Sequence, residues 1–578
     1  MRLASPGYSN SGLVNQLLAP TKEMTIEFRG LNRKSTIEPG EMSDMKNLSS
    51  DDYPLLAPRK LRGEYTLPAG LIRPLQIISK YDRIAIIGLD SESNVGFWYA
   101  GERITDVDDL NISSGMVAIN TKIVFLPQKK YLEIFPDGAN YIIGDYLPLE
   151  ASQELDETPV TISNEDARIT LSADHGFQHD DAVNISGTIT STGGSKPLAV
   201  SCLIEDVVND NTLVLPRETF IELTGAGASG VTISGTISRT MPSLDHVIEW
   251  NNRLWGASNA DNTIYACKLG DPTNWQYYQT TSLDSFYAQQ GTDGLWSGCA
   301  AYSGHVIFFK PNGMCRVYGT APSNFQVTST KCFGVEEGSR LSVVTINDTV
   351  FYKSAIGIMA YSGGTPVCIS DKLGQAFGNV VAGSEGEKYY ASVQRKTKEG
   401  GFEVLAFDTD KQVWHKEDNA RFKGSCAIGN RLYFIHYNSA ELVCSNQVFV
   451  NPYLVMGDPN SQGYIDVIHP EDAVERYENL EWMAQFGPFH EYLEEKKIYS
   501  KLALRFKAND TSSVKVYIAI DEGAWELVKD FELAATNGEV IPIIPRRCDR
   551  YSIRIEGTGN CEIVSLTRRV RQGTFGKL

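Results

Sequence analysis

Residues 251–276 read NNRLWGASNADNTIYACKLGDPTNWQ. Asn251 and Asn252 form a small polar turn, and a basic residue, Arg253, leads into a burst of β-forming residues. A second strand, IYACKL, runs into a turn built from Gly270, Asp271, Pro272 and Asn274. An aromatic residue, Trp275, then starts the next strand. Strand, tight turn, strand, turn and aromatic is the grammar of a small antiparallel sheet.

The same grammar recurs along the chain. It reads YDRIAIIG from Tyr81, NTKIVFLP from Asn120, SGHVIFFK from Ser303, NDTVFYKS from Asn347, GEKYYASV from Gly386 and GNRLYFIH from Gly429. The residues after the turn are Arg83, Lys122, Arg253, His305, Thr349, Lys388 and Arg431, so successive steps are 39, 131, 52, 44, 39 and 43. All but one lie near the roughly 40–50 residues of a four-stranded propeller blade. CRVYGTAPSNFQ and VLAFDTDKQVWH repeat the second strand and turn, and Phe325 and Trp414 match Trp275. These aromatics are expected to pack between blades. Small sheets that are apolar on both faces must be sandwiched, and a closed ring leaves no end uncovered. The fold class expected is all-β, a propeller of about seven blades.

The step of 131 marks an insertion. Short alternating strands such as DARITLSADHGFQHDDAVNISGTI, NTLVLP and GVTISGTIS fill it and predict a small β-barrel or sandwich. After Val450 the pattern changes again. HPEDAVERYENLEWMAQF has helical spacing and an acidic start, which predicts a helix. Strict alternation follows in KLALRFKA, VKVYIAI, YSIRIEG and CEIVSLTRRV, with Lys501, Ala503, Arg505 and Lys507 on one face. This predicts a C-terminal β-sandwich. The organisation expected is an extended N-terminal arm at 1–66, first blades at 67–149, the inserted β domain at 150–240, remaining blades at 241–455, a linker with a short helix at 456–490, and the sandwich at 491–578.

The arm is the stretch GLNRKSTIEPGEMSDMKNLSSDDYPLLAPRKLRG, residues 30–63. Pro39 with Gly40 makes a turn, and Pro54 and Pro58 forbid a continuous helix. Ile37, Met42, Met45, Leu48, Tyr53, Leu55 and Leu56 require burial. The segment is expected to lie across folded β structure and to staple its own ring or a neighbouring subunit. Part of it is expected to supply a strand that closes the propeller.

Composition narrows function. The 578 residues hold 53 Lys and Arg against 71 Asp and Glu, a net charge of −18. That balance argues against tight binding of nucleic acid, which needs a basic face, but lets DNA pass nearby without sticking. The ten cysteines, Cys202, Cys267, Cys299, Cys315, Cys332, Cys368, Cys426, Cys444, Cys548 and Cys561, form no CxxC pair and read as buried free thiols of a protein made in a reducing cytosol. MRLASPGYSNSG lacks the apolar core of a secretory signal, and no apolar run approaches the roughly 20 residues of a membrane span.

Chemical motifs are few. GAGASG at Gly225 matches GxGxxG, but a strand follows it where a nucleotide site needs a helix N-terminus. His175, His179, Asp180 and Asp181 in HGFQHDD lack further metal ligands nearby. DTD at Asp408 lies in a blade turn without calcium-loop spacing. No GxSxG, HExxH or P-loop occurs. A carboxylate pair for glycoside cleavage is set by the fold and is not readable from spacing. RRCDR at Arg546 and RRVRQGTFGKL at Arg568 make the last domain basic, either as a solvated face or as a docking patch for an acidic surface. No catalytic, cofactor-binding or metal-binding residue is expected, no cofactor either, and the chain is expected not to be an enzyme.

GEMSDMKNLSSDDYPLLAPRKLRG, NNRLWGASNADNTIYACKLGDPTNW and GHVIFFKPNGMCRVYG resemble virion proteins of tailed bacteriophages, of the tail-hub, nozzle or stabilisation kind. ITLSADHGFQHDDAVNISG resembles small β-modules of phage tail proteins. The resemblance implies a structural virion protein, made in the host cytoplasm and assembled at the head–tail junction or tail. It implies a ring of copies, often six-fold, that extends the conduit for double-stranded DNA, retains the packaged genome, and contacts portal, adaptor and tail-fibre proteins. It brings no catalytic residues. The competing reading is a host-binding propeller, with Trp255, Trp296 and Tyr361 stacking on sugars. A third is a polysaccharide-degrading enzyme.

Overall fold

The computed structural model describes residues 21–436, 464–467, 480–490, 497–508, 512–531 and 539–572, apart from positions 139, 164, 173, 226–228, 375–376 and 397–400. Seven four-stranded antiparallel sheets follow one another as blades 1 to 7. They span 73–104, 115–148, 246–289, 298–331, 344–368, 377–416, and, for blade 7, 422–436 and 464–467 together with Gly63–Tyr65. Every repeat identified in the sequence is the first hairpin of a blade. Arg83, Lys122, Arg253, His305, Thr349, Lys388 and Arg431 each begin a blade's second strand. The preceding turns have two residues, and Tyr81, Asp82, Asn120, Asn251, Asn252, Asn347, Gly386 and Gly429 adopt positive φ there. Such turns match the right-handed twist of the strands they join, which is why Asn and Gly recur at them.

The innermost strands of the blades touch in cyclic order, and the strand Phe422–Ile428 of blade 7 returns to Arg73–Lys80 of blade 1. The ring is therefore closed. Its packing explains the repeat's apolar bursts. All six residues of Arg253–Ser258 and of His305–Lys310 are buried, because each second strand is covered on both faces. Hydrophobic clusters fill the gaps between successive blades. Phe97 of blade 1 meets Phe125 of blade 2 edge to face at 5.1 Å, and Trp255 of blade 3 meets Phe325 of blade 4 at the same distance. Burying each such ring contributes about 2–3 kcal/mol. Trp275 and Trp414 are buried, and Phe325 is half-buried in its cluster.

The inserted region forms one seven-stranded sheet around its own core, in which Ile169, Ile185, Leu213, Phe220, Ile233 and Ile237 are buried. A short helix, Glu218–Thr224, closes one side. Two adjacent strands cross so closely that Gly187 and Gly235 face each other. A Cβ at either would lie within 2.1 Å of a carbonyl oxygen on the opposite strand, and both have φ near +150° (144° and 154°). Strands Ala151–Ile162 and Val231–Arg239 pair from Ala151 opposite Arg239 and form the neck to the ring.

The C-terminal region is a sandwich of two sheets, and the arm completes both. Thr21–Thr25 adds to the sheet containing Cys561–Gln572, Lys497–Ala508 and Glu539–Cys548. Met42–Lys46 adds to the sheet containing Glu481–Phe489, Tyr551–Thr558, Ser513–Ile520 and Glu526–Phe531. The arm then supplies Gly63–Tyr65 as the outer strand of blade 7. It thus fastens the sandwich and the ring of its own chain. Met42, Met45, Leu48 and Leu56 are fully buried in a core shared with blades 5 and 6 and the sandwich, while Ile37, Tyr53 and Leu55 are half-buried.

One element differs from expectation. The segment HPEDAVERYENLEWMAQF does not end as a helix, since Glu481–Phe489 is a strand that buries Trp482, Ala484 and Phe486 in alternation. Those apolar residues fit periods of two and of 3.6 equally over so short a run, and pairing with Met42–Lys46 and Tyr551–Thr558 selects the strand. Residues 469–479 of the same stretch lie outside the described residues.

Candidate functional site

The motifs singled out in the sequence have structural roles. His175 is buried. Its Nδ1 accepts from the Phe177 N–H at 3.0 Å, so Nε2 carries the proton toward the Asn209 carbonyl at 3.2 Å. Asp180 pairs with Lys268 at 3.2 Å. Asp181 pairs with Arg239, both nearly inaccessible, and the Asn274 amide and the Gln178 N–H also reach it. This network pins the inserted domain against blade 3. Burial pushes the Asp181 carboxyl upward against the pull of Arg239. His179 is exposed and joins none of these contacts. Gly225 follows the helix Glu218–Thr224, so it sits at a helix C-terminus, the wrong end for a phosphate. Asp408 accepts from the backbone N–H groups of Asp410 and Lys411 and from Ser50 Oγ, and so caps its own turn and anchors the arm. Among the described residues no group of His, Cys, Asp and Glu is arranged to hold a metal, and the nine described cysteines are unbridged.

Trp255, Trp296 and Tyr361 do not serve as a sugar platform. Their exposures are 0%, 3% and 0%, because each sits between two blades. The aromatic surface lies elsewhere, on the outer edge of blade 3. Tyr287 stands on the strand Phe286–Gln289 and is 59% exposed, and Tyr278 on the preceding loop is 47% exposed. Their rings meet at 6.0 Å and 70°. Tyr265 lies directly opposite Tyr287 across the strand pair, extending the aromatic row. Together with Phe286, Thr281 and Pro322 of blade 4, the two tyrosines line a cleft of about 350 Å³.

The cleft is held by one residue. The guanidinium of Arg253, at 2% exposure, has no carboxylate partner among the described residues; it donates to four backbone carbonyls. These belong to Cys267 at 2.7 Å, Ser282 at 2.7 Å, Asp284 at 2.6 Å and Leu283 at 3.3 Å. Both ends of the loop 268–285 are thereby tied to the second strand of the blade. Asp284 shapes the tip. Its carboxylate accepts from the Gln279 N–H, the Thr281 N–H and the Thr281 hydroxyl. Burial raises the Asp284 pKa, but the bonds from Thr281 and the loop N–H groups outweigh it and hold the carboxyl below its usual range. Thr280 takes φ of 57° at the tip, a conformation that persists only because its surroundings enforce it. Burial, followed by the neighbouring Tyr287, pushes the Tyr278 hydroxyl up to about 12, so it remains a donor at neutral pH. The result is a rigid cleft with aromatic walls and hydroxyl-bearing rims.

A second cluster joins the arm to blade 6. Arg59 and Arg62 clamp Glu417 and Asp418, and Lys388 pairs with Asp51. Glu385 accepts from the Tyr390 hydroxyl at 3.0 Å, and burial raises its carboxyl to about 7. His415 is buried with neither ring nitrogen hydrogen-bonded, and burial lowers its pKa to about 4. The arm covers this cluster, so it fastens structure together.

No family model matches the chain, and no curated protein matches it. Similar solved structures include phage phi92 endosialidase, at 11% identity over 77% of each chain with a TM-score of 0.26. An exo-β-1,3-galactanase from Phanerochaete chrysosporium has 9% identity over 56% of this chain and 95% of its own, with a TM-score of 0.22. AztD from Citrobacter koseri has 10% identity over 64% and 92%, with a TM-score of 0.27. No residue role is carried over at such likeness. The expectation that the chain is not an enzyme is corrected by this comparison, because two of these similar structures are glycan-cleaving enzymes by name. Lack of a catalytic sequence motif was its basis, and paired carboxylates on a propeller have no fixed spacing.

Proposed function

We propose that the chain is a carbohydrate-binding propeller carried on a phage particle, and that the Tyr278–Tyr287 cleft is its sugar site. The observation that supports it is the exposed tyrosine pair on a braced loop. Adjoining exposed aromatics with polar rims mark ligand sites more than single exposed residues do, and a tyrosine ring fits the C–H face of a pyranose while its hydroxyl bonds the ring substituents. The cleft's volume suits one or two sugar units at the small end of ligand sites. Ser323 on the rim supplies a hydroxyl, while that of Thr281 is already bonded to Asp284. The resemblance of the arm and the repeat to tail proteins supports a place on the particle, and the same resemblance supports a hub or nozzle role less directly than the cleft supports recognition.

A glycan array with the intact chain, followed by calorimetry on the best ligand, tests the reading. Tyr278→Ala and Tyr287→Ala are each expected to weaken binding about tenfold or more, as loss of an aromatic stacking partner does. Tight binding that neither change affects places the site elsewhere and removes the proposal.

A further inference from the structure

The four-stranded sheet of the C-terminal sandwich turns an unusual face to solvent. Register sets Lys22 opposite Arg569 and Arg569 opposite Lys501, three cations in one row across three strands. All three are exposed, and none makes an ion pair among the described residues. Like charges placed directly opposite destabilise a sheet, so folding alone gives no reason for the row. The next row on this face reads Met24, Thr567, Ala503 and Val540. Met24 is 47% and Val540 58% exposed. Arg505, also exposed and without an ion-pair partner among the described residues, follows on the other side. Met24 and Val540, at the two edges of this row, are its exposed apolar residues, with Ala503 half-buried and Thr567 buried between them, and cations flank the row on both sides.

The opposite charge is concentrated in the inserted domain. Residues 151–240 hold thirteen acidic and four basic residues, a net −9 of the chain's −18. On the strand Ala151–Ile162, Glu154, Asp156 and Glu157 are exposed beside a bulge, with Glu157 at φ of 45°, and none of the three has an ion-pair partner among the described residues.

We propose that the basic sheet face docks a second copy of this chain through the acidic strand of its inserted domain. The two patches lie on different modules, so the contact joins unlike surfaces and links copies head to tail. Four strands about 4.8 Å apart offer at most about 600 Å² per partner, the size of a weak, salt-sensitive contact.

Sedimentation velocity of the full chain at about 100 µM tests this in low salt, about 50 mM, and in about 500 mM. Concentration-dependent association is expected in low salt and is expected to weaken about tenfold or more in high salt. Lys501→Glu with Arg569→Glu should leave the chain monomeric, as should Glu154→Lys with Asp156→Lys and Glu157→Lys. Circular dichroism matching the parent shows that each variant folds. Mixing the two variants should restore association, with the two alternating, because each then offers the charge the other lost. A parent chain that stays monomeric, association indifferent to both reversals, failure of the mixture to pair, or binding of duplex DNA without self-association would each overturn the proposal.

Discussion

Replacing Arg253 by Met removes the donors that hold the loop 268–285 while keeping most of the hydrocarbon volume. Hydrogen bonds from a charged donor contribute about 1.5–3 kcal/mol each, and Arg253 makes four. They do not add, because burial of a guanidinium without an opposite charge costs several kcal/mol, roughly half of the total. Burial accordingly lowers the Arg253 pKa. A net loss of about 2–4 kcal/mol remains. It should fall on the loop, since Trp255 and the rest of the strand Arg253–Ser258 stay packed between blades. Hydrogen–deuterium exchange read by mass spectrometry measures this directly. Amides of 268–285 are expected to exchange roughly 30- to 700-fold faster, at about 1.4 kcal/mol per tenfold, while blades 1, 5 and 6 keep their protection. Sugar affinity should fall with the loop's order. Unchanged exchange in the loop, or an equal rise in every blade, would refute the account of Arg253 as a local brace.

Two further predictions concern the arm. Gly30→Ala places a Cβ 2.3 Å from the Trp414 carbonyl oxygen at a residue with φ of 79°, so chemical denaturation should show a loss of about 2–4 kcal/mol. The same substitution at Gly70, which has open space around it and a similar φ of 78°, should lose only about 1 kcal/mol. Glu385 tests the arm junction by pH. Its carboxyl titrates near 4.5 when unfolded and about 7 when folded. As pH rises between those values the unfolded chain releases the proton first, so stability falls until about pH 7 and stays lower above it. Glu385→Gln should therefore be neutral below about pH 4.5 and stabilising by up to about 3 kcal/mol above about pH 7, read from denaturant midpoints across pH. A stability difference that does not change with pH would refute the raised pKa.

The blades were legible because their signal is local. A two-residue turn needs positive φ, Asn and Gly supply it, and the strand that follows is buried on both faces. Those demands leave a mark within about ten residues, and the mark repeats seven times. The inserted domain was legible as an interruption of that period. The strand Glu481–Phe489 was not, because its apolar spacing suits two periods and its partners lie about 440 residues upstream and about 70 downstream. The exposed aromatics were missed for a related reason. WGAS and LWSG look no less like exposed platforms than QYYQ does, and exposure is set by which face a neighbouring blade covers.

The sequence by itself determined the all-β class, the seven repeats, the insertion and the need to bury the arm. Turn chemistry and side-chain period are written residue by residue, and no tertiary contact is required to read them. Only the tertiary structure decided where the arm goes. Its three strands complete two sandwich sheets and one blade, and pairing between strands some 400 to 550 residues apart leaves no trace in either segment alone. The same holds for the Tyr278–Tyr287 cleft and for the cationic row across Lys22, Arg569 and Lys501. Each exists because register brings distant residues side by side, and register is a property of the folded sheet.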